Sequence, residues 1–413
     1  MLRAMRRFGF ILAAFIIFFS QAVGAEIRLS GTDKQLSGHT FVGVRLYDLH
    51  LADTVIRDMV FEDVVAGGAR FRNIIFENRR FLRVDLSHSV FENVVFRNCA
   101  LESGKNADGT LVLTTFEGSS MKDVLFEQSR LYRVRLAELR GAGGKVSFKK
   151  MTDIVPEENY GLLLSGQELR ICVEDSQISG GKIKIHMAEK NKSFLIARNS
   201  IFSRFSVYCD AIFMQNCTVA DSRLGAAELV VRDSSLSGAE VLSTVKGYLV
   251  HNLYSTGKGG AGNSAHALGK GKIYVLHRDP APAHLSLGGG NLEARDITLA
   301  SPVLGSKAGE VTRRLDLRNV EIKGGSWRYL RLLSGQWENV VIEPPVIVDK
   351  SRLENVAAYN LQFPQGEPWS EVEESEGPLY FGVTRRPTPF AWEEVHVPEP
   401  EDWGIAWRVI GGR

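Results

Sequence analysis

The residues able to do acid–base or metal chemistry are scattered along this sequence without a recognised spacing. The nine histidines include no HExxH pair or other ligand spacing, so no metal centre is expected. No GxSxG elbow is present. Gly257-Lys-Gly259-Gly-Ala-Gly262 formally matches GxGxxG, but the Asn263-Ser-Ala-His-Ala that follows opens no convincing helix to hold a pyrophosphate, so it reads as a loop and no cofactor is expected. Lys182, Lys184, Asp210, Arg232, Asp233 and His251 could serve acid–base cleavage of an acidic polysaccharide, provided the fold lines them up on one face. Charged residues of this kind usually form a solvated surface, and catalysis is the weaker of the two readings.

The ends of the chain suggest where it works. Arg3, Arg6 and Arg7 precede the apolar run Phe8–Phe19, and small residues close it at Ala22-Val23-Gly24-Ala25. A basic head, a short apolar middle and a small-residue exit are the layout of a secretory signal peptide, residues 1–25. Cleavage near Ala25 would leave Glu26 at the mature N-terminus, in the periplasm or outside the cell. No Cys follows the apolar run, which argues against a lipid anchor, and no second segment is long enough to span a bilayer. Formal net charge is +2, and the leader holds three of the positive charges, so the mature chain is nearly neutral and no nucleic-acid partner is expected. Four cysteines are too few for a disulfide scaffold in 413 residues. Only Cys209 and Cys217 lie close in sequence, and they can either bridge or remain buried thiols.

What must position any functional side chain is a repeat. Phe91–Leu101 reads FENVVFRNCAL, a five-residue unit followed by a second copy. Neither a helix nor a strand has that period. Stepping by five from Phe41 to Leu136 meets Leu, Ile, Phe or Met everywhere except Ala66 and Asn106. Two residues before these positions the side chain is often small or β-branched, as at Val64, Val84, Ser89, Val94 and Cys99. Two residues after them Asp or Asn recurs, as at Asp53, Asp63, Asn73, Asn93 and Asn98. A large and a small residue can share the inner face of a short strand, and Asp or Asn suits the bend that follows.

This stretch, about residues 41–136, resembles the pentapeptide-repeat family. The resemblance implies a right-handed quadrilateral β-helix with the central Leu or Phe and the preceding small residue inside. It implies no single function, because members of that family differ widely in what they do. Mimicry of duplex DNA, as in some pentapeptide-repeat topoisomerase inhibitors, would need an acidic rod in the cytoplasm, which export and near-neutrality count against.

Four five-residue sides make a coil of 20, which places Arg57, Glu77, Arg97 and Glu117 in one outward column of alternating charge. The same arithmetic puts Leu46, Ala66, Leu86, Asn106 and Phe126 in one inward column, so both irregularities fall on one side. Gly67, Gly68, His88, Lys105, Asn106 and Asp108 are therefore the candidate binding residues, on a side where loops break a flat, repetitive surface.

Beyond Arg140 the strict frame dissolves, but Asp or Asn after an apolar residue recurs at Asp175, Asn199, Asn216, Asp233, Asn252, Asp296, Asn319, Asn339 and Asn355. That spacing predicts one corner per coil of an irregular parallel β-helix over 141–363, continuing the solenoid begun at 26–140. Residues 364–413 are rich in Pro and Trp and read as a cap on the last coil or as a docking tail. The expected fold is all-β, a parallel β-solenoid. The expected function is a non-catalytic scaffold or binding protein of the cell envelope whose partner is a protein or a polysaccharide. The alternative is a polysaccharide-cleaving enzyme, which would show acidic and basic side chains converging in a cleft beside an aromatic platform.

Overall fold

The structure is a computed structural model. It describes residues 26–403 apart from 31–34, 38–39, 59, 142–143, 152–161, 168, 187–192, 256–264, 270, 278–281, 306–310, 350, 367–368 and 374–379, so the signal peptide expected at residues 1–25 lies outside the described residues. The described chain is almost entirely parallel β-structure, wound into solenoid coils. It divides into two compact units, one ending at Phe194 and the other running from Leu195 to Trp407.

In the first unit the five-residue frame becomes the sides of a square. Thr40–Val42, Val60–Glu62, Arg80–Leu82, Ala100–Glu102 and Arg130–Tyr132 stack as a five-stranded parallel sheet, the first side. Single bridges from Arg45 through Val65, Asp85 and Thr115 to Arg135 make the second. The strands Arg70–Glu77, Val90–Arg97 and Ser120–Glu127 supply the third and fourth, bent between them at Asn73, Asn93 and Asp123. Asp53, Asp58, Asp63, Asn73, Asn78, Asn93, Asn98 and Asp123 all have positive φ. That left-handed conformation is what a square corner demands, and Asp and Asn tolerate it better than other non-glycine residues. Asn side chains then ladder from coil to coil, with Asn73 Nδ2 donating to Asp53 Oδ1 at 2.7 Å and Asn93 Nδ2 to Asn73 Oδ1 at 2.9 Å.

The frame residues fill the interior. Phe76, Phe96, Phe126 and Phe148 stack with ring centroids 5.0, 4.8 and 5.4 Å apart. Phe41, Phe61 and Phe81 form a parallel stack on the first side. At the inner corners a small polar side chain takes up a carbonyl that turns inward. Ser129 Oγ donates to Phe96 O and Ser119 Oγ to Leu86 O, both at 2.9 Å.

One coil corrects the expected register. Arg97 faces Glu127, 30 residues on, where the coils below advance by 20. The extra ten residues leave the solenoid as a hairpin in which Gly104–Lys105 pairs antiparallel with Leu111–Val112. Thr114 closes its base, donating through Oγ1 to Glu102 O at 2.6 Å and through its backbone N–H to Ser103 Oγ at 2.8 Å. Asn106 is therefore half-buried at the hairpin turn, and Phe116 occupies the inward column above Ala66 and Leu86. The charged column changes with it. Arg57 meets Glu77 at 2.7 Å and Arg97 meets Glu127 at 2.9 Å, while Glu117 pairs with Arg135 instead.

The second unit winds less evenly. Ser206 faces Arg223, 17 residues on, whereas Lys246 faces Lys272, 26 on. Corners still carry Asn199, Asn216, Asp233, Asp296, Asn319, Asn339 and Asn355 with positive φ. The expected corner at Asn252 lies one residue earlier, at His251, whose φ is 50°. Asn252 points inward, its Oδ1 accepting from Ser234 N at 3.0 Å and its Nδ2 donating to Val231 O at 2.8 Å. It does what a corner serine does elsewhere. Trp327 and Trp337 are fully buried and meet edge to face. Of the Pro/Trp-rich region, Trp369–Glu373 and Tyr380–Arg385 add to the coils as parallel strands.

Candidate functional site

The six residues singled out by the broken frame divide between the two edges of the second side. Gly67 and Gly68 form one corner, where Gly68 has φ 78° and donates to Ser87 O. His88 is the next corner up, and its ring lies over Gly118, where a Cβ would meet His88 Nδ1 at 2.5 Å. Only glycine fits there. Lys105, Asn106 and Asp108 sit on the hairpin at the opposite edge, beside Arg83, whose Nη1 donates to Lys105 O at 3.4 Å. The side is shared, but Asn106 is not in its column. The hairpin turn is held from within, because the Thr110 amide reaches both Asn106 Oδ1 and Asp108 Oδ1, and the Thr110 side chain, with that amide, holds the Asp108 carboxyl below the usual range.

A different corner of this unit holds a groove. The corner and the start of the first side, at 58 and 60, 78–80, 98–100, and 128 and 130, line a volume of about 560 Å³ open to solvent. That is within the range of small-ligand sites. Arg79, in its wall, is 2% exposed, and its Nε donates to Ile56 O at 2.8 Å. Both terminal nitrogens of its guanidinium are buried without a hydrogen-bond partner. Burial pulls the guanidinium down to about 10, against the attraction of Asp58, so it stays charged at neutral pH. The residue was legible as a violation: it puts Arg where the frame calls for a small residue two before Phe81.

In the second unit, charged groups converge on adjacent coils. Tyr248 and Tyr274 stack with centroids 5.3 Å apart, and Lys272 Nζ stands 4.4 Å from the Tyr274 ring. Lys272 pairs with Glu293 at 2.6 Å, and Arg295 Nε donates to the same carboxylate at 2.7 Å. In the register position above Glu293, Asp316 accepts from Arg314 Nε at 2.6 Å and from Gln336 N at 2.9 Å. Glu293 and Asp316 are almost fully buried, and burial pushes the Asp316 carboxyl up.

Residues 386–403 then run as a strap along the flank of this unit. Phe390 N and Trp392 Nε1 donate to Glu338 Oε2 at 2.9 and 2.7 Å. The Trp392 ring lies 5.2 Å from the Arg295 guanidinium, which donates to Glu393 O at 2.8 Å. Glu399 pairs with Arg232, and Trp403 meets Phe213 edge to face. None of these contacts was legible in the sequence, because the partners lie 52 to 190 residues apart without a period.

The residues expected for catalysis do not converge. Arg232 is held by Glu399 in the strap. Asp233 and His251 are successive exposed corners, 3.8 Å apart. Asp210 is buried in the strand Ile201–Gln215. Lys182 and Lys184 lie in Gln177–His186, in the other unit, and their side chains are outside the described residues. Among the described residues no group of acidic, His or Cys side chains is arranged to hold a metal ion, and no helix is long and apolar enough to cross a membrane.

All four cysteines are free thiols, so the bridge considered for Cys209 and Cys217 is not formed. Burial pushes the thiols up, to about 12 for Cys99 and about 11 for Cys172 and Cys217. A thiol whose folded value is raised contributes stability that is complete below its unfolded value, roughly 8.5, and is lost as pH rises towards the folded one. Stability is therefore expected to fall between about pH 9 and 12. Native protein at pH 8 should react with iodoacetamide at least tenfold more slowly than protein in guanidinium, and rapid native alkylation of Cys99 would contradict this burial.

No protein-family model and no curated protein sequence matches the chain. Among solved structures it is similar to bacteriophage CBA120 tailspike protein 3, at 12% identity over 88% of this chain and 58% of that one, with a TM-score of 0.26. It is also similar to the catalytic unit of a thermostable GH87 α-1,3-glucanase from Streptomyces thermodiastaticus strain HF3-3, at 12% identity over 90% and 64%, with a TM-score of 0.23. The Siphovirus 9NA tailspike receptor binding domain follows at 8% identity over 92% and 75%, with a TM-score of 0.16. The chain thus spans less than two thirds of the first two, and likenesses this distant carry neither a ligand nor an activity across to it.

Proposed function

We propose that this chain is an exported, non-catalytic β-solenoid that works as a binding scaffold in the cell envelope, and that its square coils make it a pentapeptide-repeat protein. Export rests on the basic head and short apolar run of residues 1–25. The scaffold reading rests on the state of Glu293. A solenoid that cleaves polysaccharide needs carboxylates free to exchange protons or attack a sugar. Glu293 stands beside the aromatic pair Tyr248 and Tyr274, where such a group would be useful, yet Lys272 and Arg295 clamp it and it is 3% exposed. Asp316, the next acid up, is held by Arg314 and a backbone amide. Acids paired in this way serve the stack rather than a substrate. The partner is a polysaccharide or an envelope protein that recognises the rigid coil surface.

The test is to incubate purified protein with acidic and neutral polysaccharides and follow new reducing ends and unsaturated uronate. No release is expected from wild type. Glu293→Gln should leave that null result unchanged while costing about 3 kcal/mol of stability, because it breaks a buried pair. Release of product that disappears in Glu293→Gln would sink the scaffold reading.

A further inference from the structure

We propose that the groove beside Arg79 is a binding site for a carboxylated polysaccharide lying along the coil stack, with one carboxylate on the Arg79 guanidinium; this names a ligand for the scaffold reading and rests on it. The argument starts from what Arg79 replaces. In the same inner-corner position, Cys99 Sγ bonds Phe76 O and Ser129 Oγ bonds Phe96 O. Arg79 Nε makes the equivalent bond to Ile56 O. A serine would satisfy that carbonyl without bringing a charge inside. What Arg79 adds is a buried cation whose two terminal nitrogens have no partner among the described residues. Asp58 is near enough to favour the charge but accepts no bond from it. An unpaired buried cation is costly, and an incoming carboxylate would supply the bidentate partner that the fold omits.

The rest of the groove suits a sugar polymer. Its walls repeat over four successive coils, and strands about 4.8 Å apart make it about 15 Å long, parallel to the stack. A linked uronate chain advances by roughly one such spacing per sugar and would meet the same corner at each step. Arg80 and Arg130 stand at the rim on either side of Ala100 and add positive charge along the path, Arg80 also pairing with Glu102 at 3.3 Å. Asn98 Nδ2 donates to Asn78 Oδ1, and these two amides and that of Gln128 above them are exposed along the groove. Hydroxyl groups both donate and accept, and an amide ladder offers both. A peptide would instead seek a free strand edge, and the edges of these strands are paired with one another. Nucleic acid calls for a dense basic field, whereas this chain has a net charge of +2 and places Asp58 in the groove.

The experiment measures binding of an oligogalacturonate long enough to span the groove, against a neutral dextran, by calorimetry on the full-length protein. Wild type should bind the uronate, more weakly as salt rises, and not the dextran. Arg79→Met should lose at least tenfold in affinity while raising the melting temperature, because it removes an unsatisfied buried charge. The Arg80→Ala, Arg130→Ala double variant should lose affinity at unchanged melting temperature. The proposal is overturned if Arg79→Met binds as wild type does, if dextran binds equally well, or if wild type binds no uronate and Arg79→Met melts lower, which would make Arg79 a purely structural group. Cleavage of the uronate by wild type would refute the scaffold reading while leaving the groove in place. Capture of envelope material without uronate binding would do the reverse.

Discussion

Replacing Phe96 by Asp is expected to unfold the square coils, whereas replacing its neighbour Arg97 by Ala is expected to cost under about 1 kcal/mol. Phe96 is fully buried at the centre of a ring stack, between Phe76 and Phe126 and edge-on to Phe81 and Phe116. Truncating such a ring typically costs about 3–5 kcal/mol through the lost transfer energy and the cavity. An aspartate adds an unpaired charge with no acceptor or donor within the stack, so the total exceeds that range. A solenoid transmits the damage only to adjacent coils, which makes the first unit lose its cooperative transition before the second. Arg97 bridges Glu77 and Glu127 at 3.8 and 2.9 Å, but its side chain is 39% exposed, and solvent screens those contacts. Chemical denaturation of both variants measures the contrast. Similar midpoints for the two would show that the inward and outward positions are misassigned.

That contrast was legible in the sequence because the frame separates inside from outside at every fifth residue. The corners were legible too, since the Asp and Asn residues two places after the frame marker have the positive φ that a square turn needs. The hairpin of Ser103–Leu113 was not placed correctly, and the reason is arithmetic. It inserts two whole five-residue units, so Leu111 and Phe116 stay in frame and nothing in the period shows that the coil has lengthened. The shift from Asn252 to His251 has a different cause. Asn can either turn a corner or satisfy an inward carbonyl, and sequence alone does not say which of its two uses a given coil adopts. Arg79 was visible as a broken rule, but its unsatisfied nitrogens are a property of the packed corner and appear only with the coordinates.

The strap is the element that no periodicity could reveal, and it concentrates its docking on one carboxylate. Glu338 is nearly buried, and a single oxygen of it accepts both Phe390 N and Trp392 Nε1, while the other lies 4.0 Å from Arg318. Glu338→Ala leaves two strap donors without an acceptor and Arg318 without its carboxylate. The expected loss is about 3 kcal/mol, of the size seen when one partner of a buried charged hydrogen bond is removed. That loss should fall on the strap alone, since the register of Thr312–Arg328 with Gly335–Asp349 is made by backbone bonds in which the Glu338 side chain takes no part. Hydrogen exchange at the Phe390 amide should accelerate by about a hundredfold, as that energy implies, while the amides of those two strands keep their protection. Limited proteolysis should cut within the exposed Arg386–Pro389 segment before any site in the coils. Glu338→Gln, which keeps one acceptor oxygen, should fall between the two. If Phe390 exchange is unchanged in Glu338→Ala, the strap is held by Phe390, Pro400 and Trp403 packing and not by the carboxylate. If the coil amides lose protection together with the strap, the strap is a structural part of the second unit and not a separately opening segment.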